Sequence, residues 1–239
     1  MKVTLISHTQ DAMDLLLFTK ATRLNLTPEL MHEIQSLSNE EKLAQLDYMA
    51  NTIPSSWEFV DYTFLVEGVS RAYTHQQVRT RAASYAQQTM RVLNMYDFDY
   101  IYSDAVQNGV AREIVDDTLL RIKETYKALT DIGIAAEDAR GILPTNISTN
   151  IVCKFNLRTF VDLAKSRSGG RTQGEYQRVI NAMIACVLLV HPWAEKFLFC
   201  DNGRDYFAEI EAYAKTKFPD LKERGELLKI VDKMRKNAK

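Results

Sequence analysis

The sequence predicts a chain of mixed strands and helices, on three observations. It opens on a β-branched run, Met1-Lys2-Val3-Thr4-Leu5-Ile6-Ser7, and carries a second run rich in aromatic and β-branched residues from Tyr62 to Val66. Most of the remainder places apolar residues at helical spacing.

In chain order, Gln10 to Arg23 sets Met13, Leu16, Leu17 and Ala21 on one helical stripe. Thr27-Pro28 resembles an N-cap followed by proline at the first helical position, and Ser38 to Glu41 has the Ser-x-x-Glu spacing of a capping box. Two short helices are therefore expected, ending near Asn51. Gly68 to Arg79 is expected to continue the Tyr62 run as a helix. Tyr85 to Leu93 alternates amides with apolar residues, as a partly buried strand does. Ala111 to Asp131 reads as a long amphipathic helix with Ile114, Leu119, Ile122 and Tyr126 on one stripe, and Gly133 ends it because glycine suits a helix C-terminus. Asn156 to Lys165 and Glu175 to Val190 read as two more helices, separated by the Ser168-Gly169-Gly170 turn. The tail from Lys222 to Lys239 is charged and helix-prone, with Leu227, Leu228, Ile230, Val231 and Met234 as its apolar side.

At 239 residues the chain is long enough to bury a proper core. Its 30 basic and 31 acidic residues leave a net charge of -1, so no overall field draws it to nucleic acid or an anionic membrane, and any anion site must be local. Cys153, Cys186 and Cys200 are too few and too irregularly spaced for a disulfide framework, which favours a reducing compartment and a cytoplasmic location. The opening segment lacks the apolar core and cleavage site of a signal peptide. The apolar stretch from Ala182 to Val190 falls short of the ~20 residues that span a bilayer as a helix.

Against that neutral background, arginine and amide side chains concentrate in two segments. Arg79, Arg81 and Arg91 lie among Gln76, Ser84, Gln87 and Thr89 in the first; Arg140, Asn150, Asn156, Arg158, Arg167 and Gln173 mark the second. A guanidinium offers a planar fork of donors that matches phosphate oxygens, and hydroxyls and amides complete the remaining positions. The same spacing suits a solvated helix face, and on spacing alone both readings stand. Other residues point away from chemistry. His8, His32, His75 and His191 show no metal-ligand spacing, and Cys153 sits in the apolar run Ile151-Val152-Cys153, as a buried inert cysteine does.

In frame, Arg79-Thr80-Arg81-Ala82-Ala83-Ser84-Tyr85-Ala86-Gln87-Gln88-Thr89-Met90-Arg91 resembles the signature of the flavin-dependent thymidylate synthase family, usually written RHRxxSxNExSxR. Val66 to Arg71 and Thr74 to Gln76 look like the family's lead-in, and Glu137 to Arg140, Leu143-Pro144, Thr149-Asn150, Asn156-x-Arg158, Arg167 and Gln173-x-Glu175 follow at the family's spacing. The resemblance covers roughly residues 1 to 190. It implies an α+β fold, an antiparallel sheet packed with helices, in a single domain over 1–239 whose last part, 191–239, is a helical extension. It also implies a homotetramer with active sites shared between subunits. The implied reaction converts dUMP to dTMP with one carbon from methylenetetrahydrofolate and a hydride from FAD reduced by NADPH.

Position by position, the resemblance assigns Gln87, Thr89, Met90, Arg91 and Arg140 to the nucleotide's phosphate and sugar, with Gln76 and Arg79 approaching the same nucleotide. Arg167 matches the arginine at the pyrimidine, where a guanidinium stabilises negative charge on the ring and so makes C5 nucleophilic. Arg79, Thr80, Arg81, Asp61, Gln87, Asn156, Arg158 and Asp162 fall at flavin-contacting positions. The departures gather on the flavin side. Thr80 and Phe59 stand where histidines are usual, Asp61 where Ser or Thr is common, Asp162 where His or Asn is common, and Gly174 where a tryptophan is usual. Those departures leave two alternatives: 5-hydroxymethylation of dUMP or dCMP, and a non-catalytic nucleotide-binding homologue. No metal, nucleic acid or membrane partner is expected.

Overall fold

The computed structural model describes all residues except 51, 53, 91–97, 169–171, 200–205, 219 and 238–239. The chain divides into two compact units, Met1–Leu198 and Phe199–Lys239.

The first unit is built on a four-stranded antiparallel sheet in the order β1-β2-β4-β3, formed by β1 (Lys2–His8), β2 (Asp61–Ser70), β3 (Ala83–Gln87) and β4 (Ser148–Asn156). Its helices are α1 (Ala12–Lys20), α2 (Pro28–Ser36), α3 (Asn39–Ala50), α4 (Arg71–Gln77), α5 (Gly109–Asp131), α6 (Ala136–Ala139), α7 (Leu157–Arg167), α8 (Gly174–Val190) and α9 (Glu195–Leu198). The α+β class is as expected. The second unit contains α10 (Tyr206–Lys217) and α11 (Leu221–Asn237), with Ala214 and Val231 buried. Among the described residues, no helix is long and apolar enough to cross a membrane.

Alternation decides which face of the sheet is covered. Tyr62, Phe64 and Val66 on β2 and Ile151, Cys153 and Phe155 on β4 all point to one side and are buried. Phe160 of α7 meets three of them, with ring centroids 6.0 Å from Tyr62, 5.5 Å from Phe64 and 6.2 Å from Phe155. Tyr176, Val179, Ile180, Met183, Ile184 and Val187 of α8 supply the other half of this core. Each fully buried aromatic or aliphatic side chain contributes about 2 kcal/mol. Cys153 lies in the middle of this layer, and burial pushes its thiol up to about 12, which makes it inert as expected.

The helix boundaries expected from local chemistry are confirmed. Leu30 N–H donates to Thr27 Oγ1, and the Ser38 and Glu41 groups exchange bonds of 2.8 and 3.2 Å, the two halves of a capping box. Gly133 takes φ 90 after α5, and Ile134 N–H closes back on Leu129.

Strand extents depart from expectation. β2 runs to Ser70, so Gly68 to Ser70 is strand and only Arg71 to Gln77 is helix. The cause is a bulge between Val66 and Val69, where Gly68 takes φ 64 and its N–H donates to Asn150 Oδ1 at 2.9 Å. β3 ends at Gln87, short of the expected Leu93, and residues 91–93 lie outside those described. β4 was not anticipated as a strand, because its polar opening Ser148-Thr149-Asn150 hides the alternation. On α5 only Leu119 and Tyr126 are buried; Ile114 is exposed, since no element of the described unit covers that end of the stripe.

A histidine closes the core beyond α8. His191 is buried, shares a 2.9 Å hydrogen bond with the Tyr62 hydroxyl, and stacks on Trp193. Burial, with the neighbouring His8 as a smaller cause, lowers its pKa to about 4. An unfolded histidine titrates near 6.5, so the unfolded chain gains a proton that the folded chain refuses. Stability is complete above about pH 6.5 and falls as pH drops toward 4, by on the order of 2 kcal/mol after allowance for solvent screening. Urea unfolding of the parent and of His191→Gln at pH 7 and pH 5 checks this. Equal pH dependence in both proteins would remove His191 as the cause.

Candidate functional site

The register of β4 sorts the expected site residues to its two ends. At one end Asp61 pairs in register with Asn156, Lys154 bridges to Asp61 at 2.8 Å, and Arg158 bridges to Glu58 at 2.6 Å. Asp162 is exposed one turn after Arg158 on α7. Asn156 Oδ1 accepts the Thr159 N–H at 2.8 Å, so this side chain caps α7. The exposed Arg79 and Arg81 lie in the turn that feeds β3 toward this end, where Ala83 pairs with Phe155.

That turn is pinned from within. The Tyr85 hydroxyl donates toward the carbonyls of Gln77 and Thr80 at 2.9 and 2.8 Å, and burial raises its pKa to about 12. Gln77 is itself buried and accepts from the Tyr73 hydroxyl. The signature's backbone is thus held by the core, which leaves its arginines free to face outward. As a donor set, Arg79, Arg81 and Arg158 fit a diphosphate-bearing cofactor, and the half-exposed Arg158–Glu58 pair is weak enough to exchange for such a ligand.

The opposite end of β4 lies roughly 27 Å away by strand rise. There Ser70 pairs with Ser148, Gln87 pairs with Ile151, and Gln88 N–H donates to Asn150 O. Gln87 Nε2 donates to Thr74 Oγ1 at 2.8 Å, which in turn donates to the Arg71 carbonyl. Arg140 stands at the start of the turn preceding this end and donates from Nε to Glu137 O at 3.1 Å. Thr89 and Met90 follow directly on Gln88. Arg91 lies outside the described residues.

Between the ends sits Arg167, in the last turn of α7. Its guanidinium carbon is 5.2 Å from the centroid of the Tyr176 ring, a cation–π contact. Burial raises the pKa of the Tyr176 phenol, and the Arg167 charge and Thr80 partly offset that rise. Among the described residues, no hydrogen bond of normal geometry reaches the Tyr176 hydroxyl. Gln76 bonds across to Gln173, tying α4 to the start of α8. Two steps on, Glu175 accepts the Ser70 N–H at 2.7 Å and the Ser70 hydroxyl at 2.6 Å.

Beside this junction is a cavity of about 220 Å³, bounded by Ser70, Tyr102, Asn146, Glu175 and Gly174. A Cβ on Gly174 would come within 3.3 Å of Asp104 Oδ2 and 3.4 Å of Arg178 Nη1, so the glycine leaves room for that ion pair.

Two residues near the site are not singled out individually by the sequence. Arg71 and Tyr176 lie within segments of interest, but their neighbours are distant in sequence and only strand register and helix docking bring them in. Among the described residues no cluster of three or more His, Cys, Asp or Glu could hold a metal ion.

Comparison with known proteins follows the same outline. A family model described as "Thymidylate synthase complementing protein" matches residues 4–193. A flavin-dependent thymidylate synthase of Geobacter sulfurreducens is 32% identical over 197 residues, covering 80% of this chain and 84% of its own. The protein of that name from Sulfurisphaera tokodaii is 31% identical over 194 residues, covering 80% of this chain and 75% of its own. A third, from Nitratidesulfovibrio vulgaris, is 29% identical over 229 residues and covers 86% of this chain and 93% of its own. With these matches over most of its length, the chain belongs to the flavin-dependent thymidylate synthase family.

Proposed function

We propose that the protein is a one-carbon methyltransferase acting on dUMP, with methylenetetrahydrofolate as carbon donor, FAD as cofactor and NADPH as reductant. The observation that carries this reading is that Arg167 and Thr80 both act on the Tyr176 phenol, with the Arg167 guanidinium over its ring. It joins the end of α7 to the signature turn, so the arginine assigned to the pyrimidine stands beside the segment assigned to nucleotide and flavin.

Each part of the chain then has a task. Arg140, Gln87 and Thr89 hold the nucleotide's phosphate and sugar, and Gln76, fixed by Gln173, borders the same ligand. Arg167, steadied over the Tyr176 ring, presents a fixed positive charge to the pyrimidine as negative charge develops on it. Arg79, Arg81, Arg158 and Asn156 hold the flavin, which supplies the hydride when bound. The inert Cys153 has no nucleophilic task. The Asp61–Asn156 end and the Ser70–Ser148 end are separated by the length of β4, so Asp61 and Asn156 stand apart from the residues gathered at Ser70. A homotetramer with sites shared between subunits answers that separation.

Mass analysis of the product from dUMP, methylenetetrahydrofolate and NADPH, alongside the absorbance of protein supplied with FAD, tests the reading. A dTMP product and a flavin spectrum are expected. A 5-hydroxymethyl product, or protein that binds no flavin, overturns it.

A further inference from the structure

The ring that Arg167 meets is itself held by a second tyrosine. Tyr176 is fully buried in the first turn of α8, and Tyr73 of α4, also fully buried, meets it edge to face with ring centroids 5.1 Å apart and planes at 80°. Tyr73 is fixed in its turn. Its hydroxyl donates to Gln77 Oε1 at 3.0 Å, and the Tyr85 hydroxyl lies 2.9 Å from the Gln77 carbonyl and 2.8 Å from that of Thr80 in the signature turn. Rings packed in this way do not swing aside without opening a cavity. Arg167 is different: it is half-buried at the end of α7, and among the described residues no carboxylate pairs with it and no hydrogen bond of normal geometry reaches its guanidinium. Its recorded neighbour is the Tyr176 ring, at 5.2 Å.

A carboxylate partner would orient this guanidinium by occupying its fork, and would cancel its charge. An aromatic face orients it through the ring quadrupole and leaves both the charge and the N–H donors for a ligand. Without such a contact an arginine side chain spreads over many rotamers, and ordering it when substrate binds costs conformational entropy. We propose that Tyr176 is a positioning residue for the reaction: its ring, buttressed by Tyr73, orders the Arg167 guanidinium in advance and presents it to the pyrimidine unneutralised. This rests on the placing of Arg167 at the pyrimidine and deepens that reading. The phenol hydroxyl, which makes no hydrogen bond of normal geometry among the described residues, has no part in it.

Steady-state dTMP formation by the parent, Tyr176→Phe, Tyr176→Leu and a protein carrying trifluorophenylalanine at position 176 tests the platform. Fluorine withdraws charge from the ring face and leaves the shape nearly unchanged, so a ring that only fills space does not respond. Tyr176→Leu and the fluorinated ring are each expected to lower kcat about tenfold, the scale of a desolvated cation–π contact, with KM for dUMP within about twofold of the parent's. Tyr176→Phe keeps the ring and is expected to restore most of that kcat. In an Arg167→Gln background fluorination is expected to do nothing further, since the cation it acts on is gone. If Tyr176→Leu fails to fold, the fluorinated protein compared with Tyr176→Phe decides the matter. Equal kcat in those two, a Phe variant as slow as the Leu variant, a loss carried by KM alone, or a fluorination effect that persists without Arg167 overturns the platform and leaves Arg167 at the pyrimidine. Parental kcat in Arg167→Glu overturns both.

Discussion

Arg167→Glu is expected to lower kcat for dTMP formation by about a thousandfold or more, the scale on which a preorganised electrostatic group contributes to a transition state. Charge reversal places a carboxylate where negative charge develops on the pyrimidine, and it removes the cation from the Tyr176 face. Because Arg167 is only half-buried at the end of α7, the substitution is not expected to unfold the unit. Arg167→Lys retains charge but lacks the planar fork, so its turnover should lie between parent and the Glu variant. Steady-state rates with saturating dUMP separate this from weakened binding, and parental kcat in Arg167→Glu would remove the residue from the site.

Glu175→Ala is expected to be the most damaging single change to stability among the site's supports. The Glu175 carboxylate takes both the N–H and the hydroxyl of Ser70, and the same hydroxyl oxygen accepts from Tyr73 N–H to cap α4. Truncation leaves two half-buried donors without partners, at about 3 kcal/mol in total. The loss appears as a lower urea midpoint with an unchanged slope. Glu175→Gln keeps the shape and one acceptor, so about half the loss is expected. Nucleotide affinity should fall with stability, since Ser70 caps the helix that carries Gln76. A Glu175→Ala midpoint equal to the parent's would show that Ser70 is held by something else.

The features that local chemistry governs could be read in advance. The Thr27 cap, the Ser38–Glu41 box and the Gly133 stop all close within a few residues, through hydrogen bonds whose partners are written next to each other in the chain. The helices of the Glu175 to Val190 and Asn156 to Lys165 segments were found for the same reason. The order of the arginine and amide blocks also carried the family, since agreement of several separated segments is specific even where each is degenerate. What could not be read was β4: its polar first residues mask a strand whose buried alternation is plain only beside β2. With β4 missing, the placement of everything around it was also missing.

Identity, caps and the roster of charged groups thus follow from residue order alone, because each depends on neighbours within one helical turn or on motif spacing. Tertiary structure decided which of those groups share a place. The bulge at Gly68 turns the chain so that Ser70 meets Glu175 and Arg71 meets Gln88, while the β2–β4 register sends Asp61 and Asn156 to the far end. Contacts of this kind depend on the burial of distant apolar faces against one another, as with Phe64, Phe155 and Phe160, and a one-residue slip in either strand would exchange the buried and exposed sets.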